Sequence, residues 1–218
     1  VVINGAYQAE RRPYAAVPGR HLLLGPQFAL LDPSFADLPR RAIRPAVARV
    51  LVTLGGGDVG AVLETAVAAV ERALPMAAID LVVGPFAHAG LAWDSRVETH
   101  RGLTSLRGLL LAVDLAVTGA GMTLYECLAA GTPAVAVLLA DNQKPNVDEL
   151  TGAGLVLSGQ PDLSVTVERL SADAPLRASM AERGRAAVDG RGAARVAAAL
   201  LRAAAPVAPG STSARGSR

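Results

Sequence analysis

The segment Leu115-Ala116-Val117-Thr118-Gly119-Ala120-Gly121-Met122-Thr123-Leu124-Tyr125-Glu126 decides the fold. Leu115 to Thr118 reads as a short buried strand, and it ends at two glycines. A helical pattern then runs to Ala130. A strand that turns through glycine straight into a helix is the first part of a βαβ unit. The same order recurs on both sides. Ala48 to Leu54 leads into Gly55-Gly56-Gly57-Asp58 and a helix through Leu74. Ile79 to Val83 ends at Gly84-Pro85. A strand over Val97 to His100 precedes a helix from about Thr104 to Ala112. Ala134 to Leu139 ends at Ala140-Asp141-Asn142-Gln143, with another helix beyond. Short continuous apolar strands alternating with helices predict an α/β, Rossmann-like, doubly wound parallel sheet. Right-handed crossovers would bring the loops after the strands to one edge.

Composition agrees. Of the 218 residues, 51% are hydrophobic but only 3% are aromatic, so the core must be built from small aliphatic side chains. That suits strands buried on both faces. A net charge of +2 is too near neutral to point to nucleic acid or an anionic membrane. The single cysteine, Cys127, excludes an internal disulfide and a multi-cysteine metal site, and it reads as a core residue. His21, His88 and His100 show neither metal spacing nor a paired nucleophile, so no metal is expected. The most apolar stretch, Leu106 to Val117, is interrupted by Arg107 and Asp114 and is too short to span a bilayer. No signal peptide is visible, and a cytoplasmic location is the expectation.

Three regions are expected along the chain. Residues 1–45 begin on a strand-like Val1-Val2-Ile3-Asn4 with nothing before it to pair with, then run through a polar, proline-containing stretch. They read as the end of a missing N-terminal domain plus a connection. Residues 46–205 form the Rossmann-like domain and close with helices over Leu176 to Val188 and Ala193 to Ala205. Residues 206–218 are rich in Pro, Gly, Ser and Arg and are expected to be disordered.

Three loops carry candidate chemistry. Gly55-Gly56-Gly57-Asp58 lets the backbone approach a phosphate, although a tight turn with Asp58 as helix cap needs the same residues. In the Gly119 to Glu126 segment, small residues clear space and Thr123 enters the first helical turn, where its hydroxyl and free amides could hold a diphosphate. Glu126 follows one turn later and could accept hydrogen bonds from two ribose hydroxyls. The same spacing fits a capping box, with Thr123 capping the helix and Glu126 reaching back. Asp141-Asn142-Gln143 lands on the same edge, where its amides could grip sugar hydroxyls or where Asp141 or Asn142 could simply cap a helix. A P-loop is excluded because the only lysine, Lys144, is remote from the glycines. A dinucleotide site needs an acidic residue closing the second strand, and that strand closes on Val83-Gly84-Pro85.

Taken together, the Leu22 to Leu31 stretch, the Leu51 to Asp58 stretch, the Gly119 to Glu126 segment and the Ala140 to Gln143 run resemble the UDP-sugar hydrolase of the pseudaminic acid pathway. The resemblance covers about Val1 to Leu157. It implies the C-terminal domain of a GT-B fold, with release of UDP from a diacetamido-trideoxy sugar by the whole enzyme. By that resemblance Gly56 and Gly57 would lie against the diphosphate. Gly121, Met122 and Thr123 would hold phosphate, and Glu126 would bind ribose. Backbone near Leu103 would read the uracil edge, and Asn142 and Gln143 would face the sugar. The histidine associated with catalysis belongs to that family's N-terminal domain, so no catalytic residue is assigned in this chain. The partner implied is a UDP-sugar, with no cofactor. A GT-B glycosyltransferase with an alcohol acceptor and a non-catalytic nucleotide-sugar binding module are the alternatives.

Overall fold

The computed structural model describes residues 1–57, 59–86 and 93–204. Asp58, His88 and the tail over 206–218 lie outside the described residues. The main sheet has six parallel strands: β3 (Arg49–Thr53), β4 (Ala78–Val83), β5 (Val97–Arg101), β6 (Leu115–Gly119), β7 (Ala134–Val137) and β8 (Leu157–Ser158). Their spatial order is β5-β4-β3-β6-β7-β8. The chain therefore runs outward from β3 through β4 to β5, returns to the other side of β3 as β6, and continues outward. Between β3 and β6 the direction of travel reverses. In open α/β sheets such a switch point leaves a crevice beyond the strand ends. Register aligns Thr53 with Thr118, so the loops after β3 and β6 leave the sheet side by side.

The central strands β3, β6 and β7 are mostly apolar on both faces because both faces are covered. Val50, Val52 and Val117 pack with Leu63, Val67 and Val70 of α1 (Gly60–Ala73) and with Val167 and Leu170 of α5 (Leu163–Ala172). Leu51, Ala116 and Ala136 face the other way, toward α2 (Arg107–Ala112), α3 (Met122–Ala130) and α4 (Lys144–Gly152). Helices α6 (Ala174–Ala187) and α7 (Gly192–Ala204) follow, close to the helical stretches expected for them. Ala29, Leu31, Phe35 and Leu38, from the stretch expected to be a connection, are buried in the same core as α3.

Three elements go beyond or differ from expectation. Val1 to Asn4 is a strand, and its partner follows it in the chain: β1 (Val2–Asn4) pairs in parallel with β2 (Leu22–Leu24) as a separate two-stranded sheet. Helix α2 begins at Arg107, not Thr104; the Ser105 hydroxyl accepts from the Arg107 amide just ahead of its first turn. The sixth strand, β8, has only two residues and carries no pattern that sequence could reveal.

Candidate functional site

At the switch point the polypeptide is built for close approach. Gly55 sits at φ +92, a conformation that side chains rarely adopt. Beneath it, a Cβ on Gly84 would stand 2.4 Å from the Gly55 carbonyl oxygen, so the loop after β3 is seated directly on the end of β4. Across the crevice α3 starts at Met122, immediately after β6, with Gly121 as its N-cap and no side chain capping it. Thr123 is thus the second helical residue, not the cap, and the capping-box alternative is not realised. The first amides of α3 have no intrahelical acceptor, and the Thr123 hydroxyl has no partner among the described residues.

Gly57, Gly121, Met122, Thr123 and Gln143 come together around one cavity of about 360 Å³, which Leu54, Thr118 and Leu139 also line. The Gln143 side-chain oxygen accepts from the Leu139 amide at 3.0 Å, and its NH2 has no hydrogen-bond partner among the described residues. A 3-10 turn over Asp141–Gln143 precedes α4, and neither Asp141 nor Asn142 caps that helix with its side chain. Gly56, between the lining residues Gly55 and Gly57, is not itself part of the lining, and a Cβ there would meet only the Pro85 ring at 3.7 Å. Asn142 is exposed and Leu103, beyond β5, is 43% exposed; both lie outside the cavity lining.

Glu126 stands one turn along α3, half-buried, and makes no hydrogen bond or ion pair among the described residues. Burial pushes its carboxyl above the usual range, and the negative charge of Asp32 pushes it further. Asp32 caps the 3-10 turn over Pro33–Phe35, its Oδ1 accepting from the Ser34 amide at 2.8 Å. An unpartnered, partly desolvated carboxylate is costly to the folded protein and is ready to accept hydrogen bonds from a ligand.

Two further residues were not singled out from sequence. The Tyr125 hydroxyl, buried in α3, accepts from the Tyr7 amide at 2.9 Å and donates to Asn146 Oδ1 at 2.7 Å. A polar atom on a buried aromatic was the available signal, in a chain with only 3 tyrosines. Asn146 borders a second cavity beside the first.

A separate charged cluster lies on the sheet toward its β5 edge. Asp80 is fully buried and accepts from the Arg49 guanidinium at 2.5 and 2.7 Å. His100 Nε2 lies 2.8 Å from the same carboxylate, and Glu98 binds Arg49 at 3.1 Å. Burial alone would raise the Asp80 carboxyl, but hydrogen bonds from Arg49 and His100 outweigh it and hold it below its ordinary value. The ligand atoms of Asp80, Glu98 and His100 lie within 4.8 Å of one another, a spacing a cation could use. Arg49 already supplies the positive charge there, so the arrangement reads as a structural ion network. Cys127 is buried in the core, as expected. No helix among the described residues is long and apolar enough to cross a membrane.

No family model matches the chain. The spore coat polysaccharide biosynthesis protein SpsG of Bacillus subtilis (strain 168) is 26% identical over 215 residues, spanning 91% of this chain and 63% of SpsG. The structure of the glycotransferase of kitacinnamycin superposes with a TM-score of 0.60 at 26% identity, over 78% of this chain and 46% of that one. CalG4, the calicheamicin glycosyltransferase, superposes with a TM-score of 0.59 at 24% identity, over 76% of this chain and 44% of that one. The chain therefore spans just under two thirds of the curated relative and about half the length of the solved structures. Its fold is the Rossmann-like parallel α/β fold that these glycosyltransferases share.

Proposed function

We propose that the chain supplies the nucleotide-sugar site of a GT-B glycosyltransferase that uses a UDP-sugar donor, a reading supported by its likeness to SpsG and to the glycotransferase of kitacinnamycin. The observation that carries this reading is the convergence of the loop after β3 and the N-terminus of α3 at the switch point. The diphosphate lies in the cavity of Gly57, Gly121, Met122 and Thr123, with the Gly56 backbone alongside. The free amides of α3, its positive dipole end and the Thr123 hydroxyl bind the phosphate oxygens. Those same groups stabilise the charge that develops on UDP as the bond to the sugar breaks. Glu126 accepts from the ribose hydroxyls, backbone near Leu103 reads the uracil, and Asn142 and Gln143 face the glycosyl group. The remainder of the site and the acceptor come from a domain outside this chain.

A second reading, hydrolysis of a UDP-diacetamido-trideoxy sugar with water in place of the acceptor, is supported by the order of the four motifs from Leu22 to Gln143. The two are separated with the full-length protein and a panel of UDP-sugars. A transferase releases UDP at an appreciable rate only when an alcohol acceptor is added, and the sugar appears on that acceptor. Stoichiometric free sugar with no acceptor present would replace the transferase reading with the hydrolase one. UDP affinity without UDP release under either condition would favour the non-catalytic binding module.

A further inference from the structure

A cavity of about 550 Å³ lies at the opposite end of the sheet from the crevice. Arg41, on its wall, reaches the Val113 carbonyl just before β6 begins, whereas the crevice lies beyond the end of β6. Arg40, Arg41 and Ile43, from the segment ahead of β3, line it together with Glu182, Arg185 and alanines of α6. Three arginines therefore share the cavity with one acid. Main-chain carbonyls, not carboxylates, hold two of the guanidiniums. Arg41 donates to Leu110, Leu111 and Val113 at the end of α2. Arg185 donates to the Leu38 and Pro39 carbonyls at 2.6 and 2.9 Å. These bonds fix the direction of each side chain without supplying an opposite charge. The neighbouring acid, Asp114, is already engaged: it accepts from the Ala48 and Arg49 amides and pairs with Arg44 at 3.3 Å. Arg40 is exposed and, like Glu182, makes no hydrogen bond or ion pair among the described residues. The Arg41 Nε–H is buried without a partner, and folded proteins seldom leave a buried donor unmet.

Two fixed guanidiniums and a free one form a preorganised anion site, and the guanidinium fork matches phosphate oxygens. An inorganic ion would fill only a fraction of the space, which falls within the roughly 300–1,000 Å³ typical of small-molecule sites. Ile43 and the α6 alanines offer an apolar surface to the rest of such a ligand. We propose that this cavity binds a phosphate ester, with the phosphate between Arg40 and Arg185 and the carbon body against Ile43 and α6. The site is separate from the crevice and does not depend on how the crevice is read. A soluble ester and the headgroup of an acidic lipid present the same chemistry here, and the test separates them.

The test titrates ¹⁵N-labelled protein with hexyl phosphate and with inorganic phosphate. The readout is the Ala178, Ala181 and Glu182 amides, because the start of α3 also attracts phosphate. Hexyl phosphate is expected to shift them saturably and at lower concentration than inorganic phosphate. Arg40→Gln should weaken that binding about tenfold, the size of one charge-assisted hydrogen bond. Glu182→Gln removes the one acid of the lining and should tighten binding two- to threefold. Neither side chain has a partner to lose, so both variants should keep the parent melting temperature. Sedimentation with phosphatidylcholine vesicles, with and without phosphatidic acid, identifies the source. Retention on the acidic vesicles that Arg40→Gln abolishes assigns the phosphate to a lipid; saturable hexyl phosphate binding without retention assigns it to a soluble ester. Shifts that never saturate, or that appear equally beside exposed arginines elsewhere such as Arg11 and Arg202, would overturn the proposal. So would hexyl phosphate affinity unchanged in Arg40→Gln.

Discussion

Replacing Glu126 with glutamine should make the protein more stable and bind UDP less tightly. The two effects arise from one feature, a half-buried carboxylate with no partner among the described residues. Burial, and then Asp32, raise the Glu126 carboxyl above its unfolded value. A carboxyl raised in the folded state destabilises folding at any pH where it is ionised. That penalty is present at neutral pH and vanishes below the unfolded value of about 4.3. Glu126→Gln removes the charge and keeps the shape, so the melting temperature at pH 7.5 should rise. The gain should shrink when variant and parent are compared at progressively lower pH. Binding should move the other way. A carboxylate that accepts from two ribose hydroxyls makes two charge-assisted bonds, each worth about 1.5–3 kcal/mol gross. Glutamine keeps one neutral acceptor, and it also relieves some repulsion between Glu126 and the diphosphate. A net loss of about 2 kcal/mol corresponds to a roughly 30-fold rise in Kd. Scanning calorimetry and isothermal titration with UDP measure both quantities on the same sample. A lower melting temperature together with unchanged UDP affinity would refute the reasoning and make Glu126 a purely structural residue.

Two other expectations test the surroundings of the site. Gly84→Ala drives a Cβ into the backbone of Gly55 and Gly56, so it should cost about 1–3 kcal/mol in chemical denaturation and weaken UDP binding at the same time. A loss of stability with normal UDP affinity would show that the loop after β3 does not touch the nucleotide. At the far end of the sheet, Asp80→Asn breaks a buried ion network and should cost about 2–4 kcal/mol at pH 7 without altering UDP affinity. Because the Asp80 carboxyl is held below its ordinary value, its contribution is complete above about pH 4 and is lost as pH falls through the folded value. The difference in urea midpoint between parent and variant should therefore narrow in acid; a difference independent of pH would remove the carboxylate charge from the explanation.

The central strands β3, β6 and β7 were legible because each is a short apolar run closed by glycine or a polar residue, as in Leu51 to Gly57 and Leu115 to Gly121. Helix boundaries followed where a residue fixes them, and α2 was overextended because Thr104 and Ser105 resemble a helix start. What escaped was non-local. The pairing of Val2–Asn4 with Leu22–Leu24 joins segments separated by a proline-containing stretch with no period. Asp80 sits inside the apolar run Ala78 to Val83, which should have demanded a cationic partner. That the partners are Arg49 and His100 depends on a strand register that sequence reading did not fix. The loops that line the crevice at the switch point were legible because glycine marks close approach wherever it falls. Asn146 and Tyr125 were missed because a helical asparagine and a buried tyrosine look ordinary until a hydrogen bond joins them across 21 residues.

Whether the crevice between β3 and β6 takes a uridine nucleotide is decided by calorimetric titration of this chain with UDP and with ADP, repeated on Thr123→Val. Saturable binding of UDP in preference to ADP, weakened several-fold by Thr123→Val with no change in melting temperature, is the expected result. Folded protein that binds neither nucleotide, or binds UDP equally well after the substitution, would contradict it.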